Sequence, residues 1–121
     1  MRYIETIVNR DPLKVGKIVL GRRGENGVTD VIFDFSEIEK EFGEGTPVLY
    51  VRRAGDMEAR KVKLGISDMK RAYWTITEHD TAIAGIGAAE FRYHTKEGQT
   101  FKALYETAVL RDVWGKNERQ E

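Results

Sequence analysis

Two histidines, His79 and His94, are the first residues to ask for chemistry. Neither has a second histidine or a carboxylate at a metal-ligand spacing, and a structural metal needs about four converging ligands. Both read as solvated surface groups. The only two serines, Ser36 and Ser67, lie outside any strand–turn–helix elbow that would present a nucleophile. Glu37, Glu39, Glu41 and Glu44 form an acidic cluster. Glycoside hydrolysis needs two carboxylates held across a cleft, whereas these four share one short helical stretch where solvation and the helix start suit them. A small hydrolase would need a deep pocket with two converging carboxylates, and the sequence supplies no sign of one. The glycine-rich run Gly21–Gly27 has no lysine or helix start behind it, so it is a flexible loop and not a phosphate loop. The expectation is a protein with no catalytic residues, cofactor or metal.

Two residue groups remain that could meet a partner. Arg22-Arg23, Arg52-Arg53 and Lys70-Arg71 are basic pairs. Adjacent strand residues point to opposite faces, so each pair either protects a sheet edge or rims a contact with an acidic surface. Arg22, Arg23, Arg52 and Arg53 are the candidates for that rim. Tyr50, Tyr73, Tyr105 and Trp114 are aromatics that could stack on a sugar or sit in a protein interface. Tyr73 falls out of phase with its neighbours and is expected at the surface with Trp114. Trp74 falls in phase with Ala72 and Ile76 and is expected in the core.

Composition narrows the class. The 121 residues carry 20 Lys and Arg against 20 Asp and Glu, a formal charge of zero. That balance argues against nucleic acid, whose binders carry a positive surplus. There is no cysteine, so the fold must hold by packing alone. No apolar run approaches the ~20 residues of a membrane helix. Glu5 interrupts the start where a signal peptide would be apolar, so cytosolic synthesis is expected.

The elements that would position these residues are strands. Val31, Phe33 and Phe35 alternate with polar residues; so do Val62, Leu64 and Ile66; Ala72, Trp74 and Ile76; and Ala89, Phe91 and Tyr93. Period two marks half-buried strands. Tyr3–Val8, Lys17–Leu20, Val48–Val51 and Phe101–Leu110 are apolar with poorer alternation, as if covered on both faces. Gly55-Asp56 and Thr95–Gly98 read as hairpin turns that pair Val48–Arg53 with Glu58–Ile66 and Ala88–His94 with Gln99–Leu110. Ser36 followed by Glu39 reads as a capping box, with Gly43 as the stop, which predicts a short helix over 37–42. Thr77–Asp80, leading to Gly85, reads as a corner between sheets in which Asp80 accepts backbone hydrogen bonds. The whole predicts an all-β, immunoglobulin-like antiparallel sandwich of seven to eight strands, one domain over 1–114, with a frayed polar tail over 115–121.

The run Trp74-Thr75-Ile76-Thr77-Glu78-His79-Asp80-Thr81-Ala82, with Gly85 and Gly87 beyond it, continues through Ala89-Glu90-Phe91-Arg92-Tyr93 to Tyr105–Leu110. It resembles the N-terminal domain of baseplate upper proteins from tailed phages of Gram-positive bacteria. There a Trp, a polar strand, Asp-Thr-Ala and two glycines mark the corner before a hairpin. The resemblance implies an immunoglobulin-like fold and a non-enzymatic structural duty in the tail, attaching or supporting the host-recognition device. The implied partners are other tail and baseplate proteins, with homo-oligomers in the assembly, and the implied location is the virion tail, assembled in the host cytoplasm. Family members continue into a helical or fibre region, whereas this sequence ends in a short charged tail after Trp114. The rival reading, from the aromatics alone, is a small carbohydrate-binding module with a glycan as partner.

Overall fold

A computed structural model describes residues 1–111. Trp114 and the tail expected over 115–121 lie outside the described residues. The chain runs β1 (Arg2–Ile7), β2 (Gly16–Arg22), β3 (Thr29–Asp34), α1 (Ser36–Phe42), β4 (Gly45–Arg52), β5 (Arg60–Val62), β6 (Gly65–Ile66), β7 (Arg71–Thr75), β8 (Gly85–Thr95) and β9 (Thr100–Leu110). Two sheets result, one ordered β1-β3-β7-β6 and the other β2-β9-β8-β4-β5. Naming the strands by immunoglobulin convention, the first is A-B-E-D and the second contains G-F-C-C′. The fold is therefore an all-β, immunoglobulin-like sandwich with one short helix.

Alternation dictates its core. Val31, Phe33 and Phe35 of the β3 segment face Ala89, Phe91 and Tyr93 of β8, and all six are buried. Ring contacts join the sheets: Phe33 lies 5.5 Å from Phe91 and 5.3 Å from Tyr105, and Phe35 lies 5.8 Å from Tyr93. Antibody domains staple strands B and F with a disulfide. Here the equivalent strands, β3 and β8, are held by stacked phenylalanines. Trp74 on β7 is fully buried beside them. Close packing leaves no room for a side chain at Gly16, where an added Cβ would meet the Tyr105 ring at 2.6 Å.

Four details differ from expectation. The pairings β1–β3 and β2–β9 are parallel, so the sandwich is mixed and not wholly antiparallel. The chain switches sheets between β1 and β2, and each of these strands must join an edge in the direction it arrives. Second, the stretch Glu58–Ile66 is not one strand. β5 stays with β4, then Gly65–Ile66 crosses to pair with β7, which leaves Ile66 exposed. Among the described residues the strand count is therefore nine, against the seven to eight expected. Third, the Gly55-Asp56 turn is wider than a two-residue hairpin, because Val51 pairs with Arg60. Gly55 does take a positive φ of 81°. The β8–β9 hairpin matches, with Gly98 at φ 90° and its N–H donating to the Thr95 carbonyl.

The fourth difference concerns α1. The helix crosses between the sheets with Ile38 buried and Phe42 against Phe101, and Gly43 ends it at φ 84°. There is no capping box: Ser36 is already inside the helix, and no side chain caps the Phe35 position. Instead Asp34 Oδ1 accepts the Ser36 N–H at 3.0 Å, and Glu39 turns to Lys70 at 3.3 Å. An Asp two residues ahead forms an Asx turn, which competes with the serine's own cap.

Two outcomes follow. Trp74→Ala empties a fully buried site and should cost about 3–5 kcal/mol, seen as a large drop in the urea midpoint. Burial would raise the Asp34 pKa, but the Ser36 backbone and hydroxyl hydrogen bonds outweigh it and the net shift is downward. A depressed folded pKa adds stability above the unfolded carboxylate range, near 4, and loses it as pH falls through the folded value. Asp34→Asn should therefore flatten the acid limb of the stability–pH curve, measured by denaturant melts between pH 2 and 7 on the order of one-unit steps.

Candidate interaction surface

The corner between β7 and β8 is the most densely bonded place in the fold. Asp80 is buried, with 3% of its surface exposed. Its Oδ2 accepts the Thr77 N–H at 2.8 Å and the Thr77 hydroxyl at 3.0 Å, and its Oδ1 accepts the guanidinium of Arg60. The backbone-accepting role expected of Asp80 is thus present, joined by an ion pair with β5 that the sequence did not announce. Neighbouring bonds tie other loops to the same corner. Thr81 Oγ1 donates to the Glu25 carbonyl at 2.7 Å, Glu78 N–H donates to Asn26 Oδ1 at 2.8 Å, and Arg53 reaches the His79 carbonyl at 3.3 Å. Gly85 then opens β8 at φ 130°, with Ala54 crowding the place of a Cβ. This region is architecture, with its polar groups committed to each other.

The four rim arginines separate into different roles. Arg53 clamps Asp56 with two hydrogen bonds of 2.7 and 3.1 Å. That bond holds the Asp56 carboxyl below its ordinary pKa range. Arg53 therefore closes the β4–β5 loop and is not a free rim group. Arg52 is exposed at the end of β4, an interior strand, so edge protection does not explain it. Arg22 and Arg23 are exposed at the end of the edge strand β2. The Arg22 N–H donates to Glu25 at 2.8 Å and depresses that carboxyl's pKa. Arg22 and Arg52 share the outer side of the five-stranded sheet, separated by three strand spacings, roughly 14 Å, across it and by four residues, roughly 13 Å, along it.

The aromatics do not converge. Tyr50 lies on the outer side of the five-stranded sheet, under the Arg92 guanidinium at 4.1 Å. Tyr73 lies on the other sheet, opposite Ile32, and helps to cover it. Tyr105 is in the core. Among the described residues no flat aromatic row exists for a sugar to lie on. The histidines are both exposed, His79 in the corner and His94 near the far end of β8. Among the described residues no group of three His, Cys, Asp or Glu could hold a metal.

Sequence reasoning missed a patch of exposed apolar residues on the five-stranded sheet. Val19 on β2, Ile86 on β8, and Leu104 and Leu110 on β9 point outward, and Met57 overhangs them from the β4–β5 loop. The signal was the poor alternation of Lys17–Leu20 and Phe101–Leu110. That pattern predicts cover on both faces, whereas among the described residues the outer face stands open.

No protein-family model matches the chain, and no curated protein matches it. Among solved structures it is similar to the N-terminal domain of phage TP901-1 ORF48, with a TM-score of 0.56 and 10% identity over 91% of this chain and 99% of that one. At that identity the likeness is one of fold.

The corner makes its own prediction. Arg60→Ala leaves the Asp80 carboxylate buried with Thr77 alone, an unsatisfied polar group that should cost about 1–3 kcal/mol. Differential scanning calorimetry of the variant should show a lowered Tm, with Arg60→Lys recovering part of it.

Proposed function

We propose that this chain is a non-enzymatic structural subunit of a phage tail or baseplate, working by protein–protein contact to attach or support the host-recognition device. The observation that carries the reading is the fold likeness to a phage domain that the chain covers almost end to end. The residue run from Trp74 to Leu110 supports it, folding as a buried strand, a corner and a hairpin. The surface supports it as well: polar clusters such as Asp80 with Arg60 and Arg53 with Asp56 serve the fold, while outward apolar side chains stand unpartnered. Partners would be other tail proteins, including further copies in a symmetric assembly, and the place of action would be the virion tail.

Among the described residues the carbohydrate reading loses support, because Tyr50 and Tyr73 lie on different sheets and Tyr105 is in the core. Co-expression with candidate tail-core proteins, followed by affinity capture and size-exclusion chromatography, should recover a defined complex. A glycan array run on the same preparation should stay blank. Specific glycan binding with no tail complex would overturn the proposal.

A further inference from the structure

The outward side of the five-stranded sheet has a definite composition. Register fixes which residues share it. Lys17, Glu106, Ala88 and Arg52 form one row across β2, β9, β8 and β4, and Leu104, Glu90, Tyr50 and Lys61 form the next across β9, β8, β4 and β5. Val19, Ala108 and Ile86 extend the apolar part toward one end. A shallow pocket of about 260 Å³ lies between Tyr50, Met57, Ala88 and Leu104, with Arg52, Arg92 and Glu90, the last paired with Arg92, on its wall. Exposure of the apolar members is high: 60% for Ile86, 48% for Val19 and 46% for Leu104. Isolated exposed hydrophobics need no explanation, but a contiguous group on one rigid sheet marks a contact site.

Charge says what kind of contact. The strands of this face present Lys17, Arg22, Arg52, Lys61, Arg92 and Lys102 against only Glu90 and Glu106. The whole chain has zero formal charge, so the positive surplus here is local. Arg92 and Glu90 pair at 2.5 Å. Lys17, Arg52, Lys61 and Lys102 meet no carboxylate among the described residues. A basic border around an apolar centre is the complement of an acidic border around an apolar anchor.

We infer that this sheet face docks an acidic protein surface, with an aliphatic or aromatic side chain of the partner seated between Tyr50, Met57 and Leu104. The inference rests on the proposed role in protein contact and names the partner's chemistry. A nucleic acid fits less well. Arg92 already covers the Tyr50 ring on which a base would stack, and the exposed apolar side chains Val19, Ile86 and Leu104 offer a phosphate backbone nothing to bond. A second copy fits less well too, because two faces with the same basic surplus repel.

The test uses the full chain and three probes: a peptide of alternating Glu and Leu around a central Trp, its Lys-for-Glu counterpart, and a single-stranded oligonucleotide. Amide shifts in nuclear magnetic resonance spectra should move with the acidic peptide at Lys17–Val19, Tyr50–Arg52, Ala88–Glu90 and Lys102–Glu106. Affinity should exceed that of the Lys peptide by about tenfold or more and weaken with salt. The double variant R52E/K61E should lose this preference while keeping the wild-type melting midpoint. Leu104→Ala, which keeps every charge, should weaken the acidic peptide without changing its salt dependence. Equal binding of both peptides, shifts on the other sheet, preference for the oligonucleotide, or dimerisation by this face in sedimentation equilibrium would each overturn the inference. Capture of a tail-core protein equally by wild type and R52E/K61E would sink the face while sparing the proposed function. Failure of that capture alongside a positive peptide result would do the reverse.

Discussion

One buried carboxylate organises the end of this sandwich where the strand connections gather. Asp80 sits in the turn between the two sheets, out of water, where an unpaired charge would be costly. Thr77 and Arg60 answer it from two directions. Because Arg60 begins β5, the ion pair fixes the edge of the five-stranded sheet to the corner leaving the four-stranded one. The same corner carries Thr81 and Glu78, which anchor the β2–β3 loop through Glu25 and Asn26. A single turn therefore holds the β2–β3 loop, the β4–β5 loop and the start of β5, and with them the relative placement of strands that packing of Phe33 on Phe91 alone would leave free to slide. Stacked rings are strong but tolerant of small shifts; a geometry-bound carboxylate is not.

Much of this was legible in the residues. The alternation of Val31-Phe33-Phe35, Ala72-Trp74-Ile76 and Ala89-Phe91-Tyr93 names the core, because period two and burial on one face are the same fact. Gly43, Gly55 and Gly98 marked turns that do require positive φ. What escaped was whatever depends on a distant partner. Nothing local distinguishes Arg60 from Lys61, yet one meets Asp80 and the other stands in water. Ser36 had the right spacing for a cap, but Asp34 reached its N–H first. The parallel pairings of β1 with β3 and of β2 with β9 were hidden for the same reason, since strand direction at an edge follows from where the chain crosses and not from composition.

The two sheets differ in how their outer sides are finished. On the four-stranded sheet Tyr73 shields Ile32, and Glu5 pairs with Arg71 across β1 and β7 at 2.8 Å. Tyr3 and Ile7 on the same side of β1 stay exposed. Among the described residues nothing covers Ile86, Val19 and Leu104 on the five-stranded sheet. Its far edge is blunted instead: β5 is three residues long, and a short edge limits unwanted strand addition. The molecule thus suppresses edge pairing on that flank while leaving a broad flat side bare, a distribution suited to selective contact.

The position of β9 has a consequence for how the chain comes to be folded. It is the ninth strand in sequence, yet it lies inside its sheet, between β2 and β8. Val19 of the second strand pairs with Ala108 of the last, so Ile18 and Leu20 have no lasting shelter until nearly the whole described chain has been synthesised. The β8–β9 hairpin can form locally and early, but closure onto β2 must await a long-range encounter, which slows assembly. During translation β2 leaves the ribosome as a sticky, unmatched segment, whereas β1 finds β3 soon after it. β9 is then the latch whose arrival closes β2 onto its sheet.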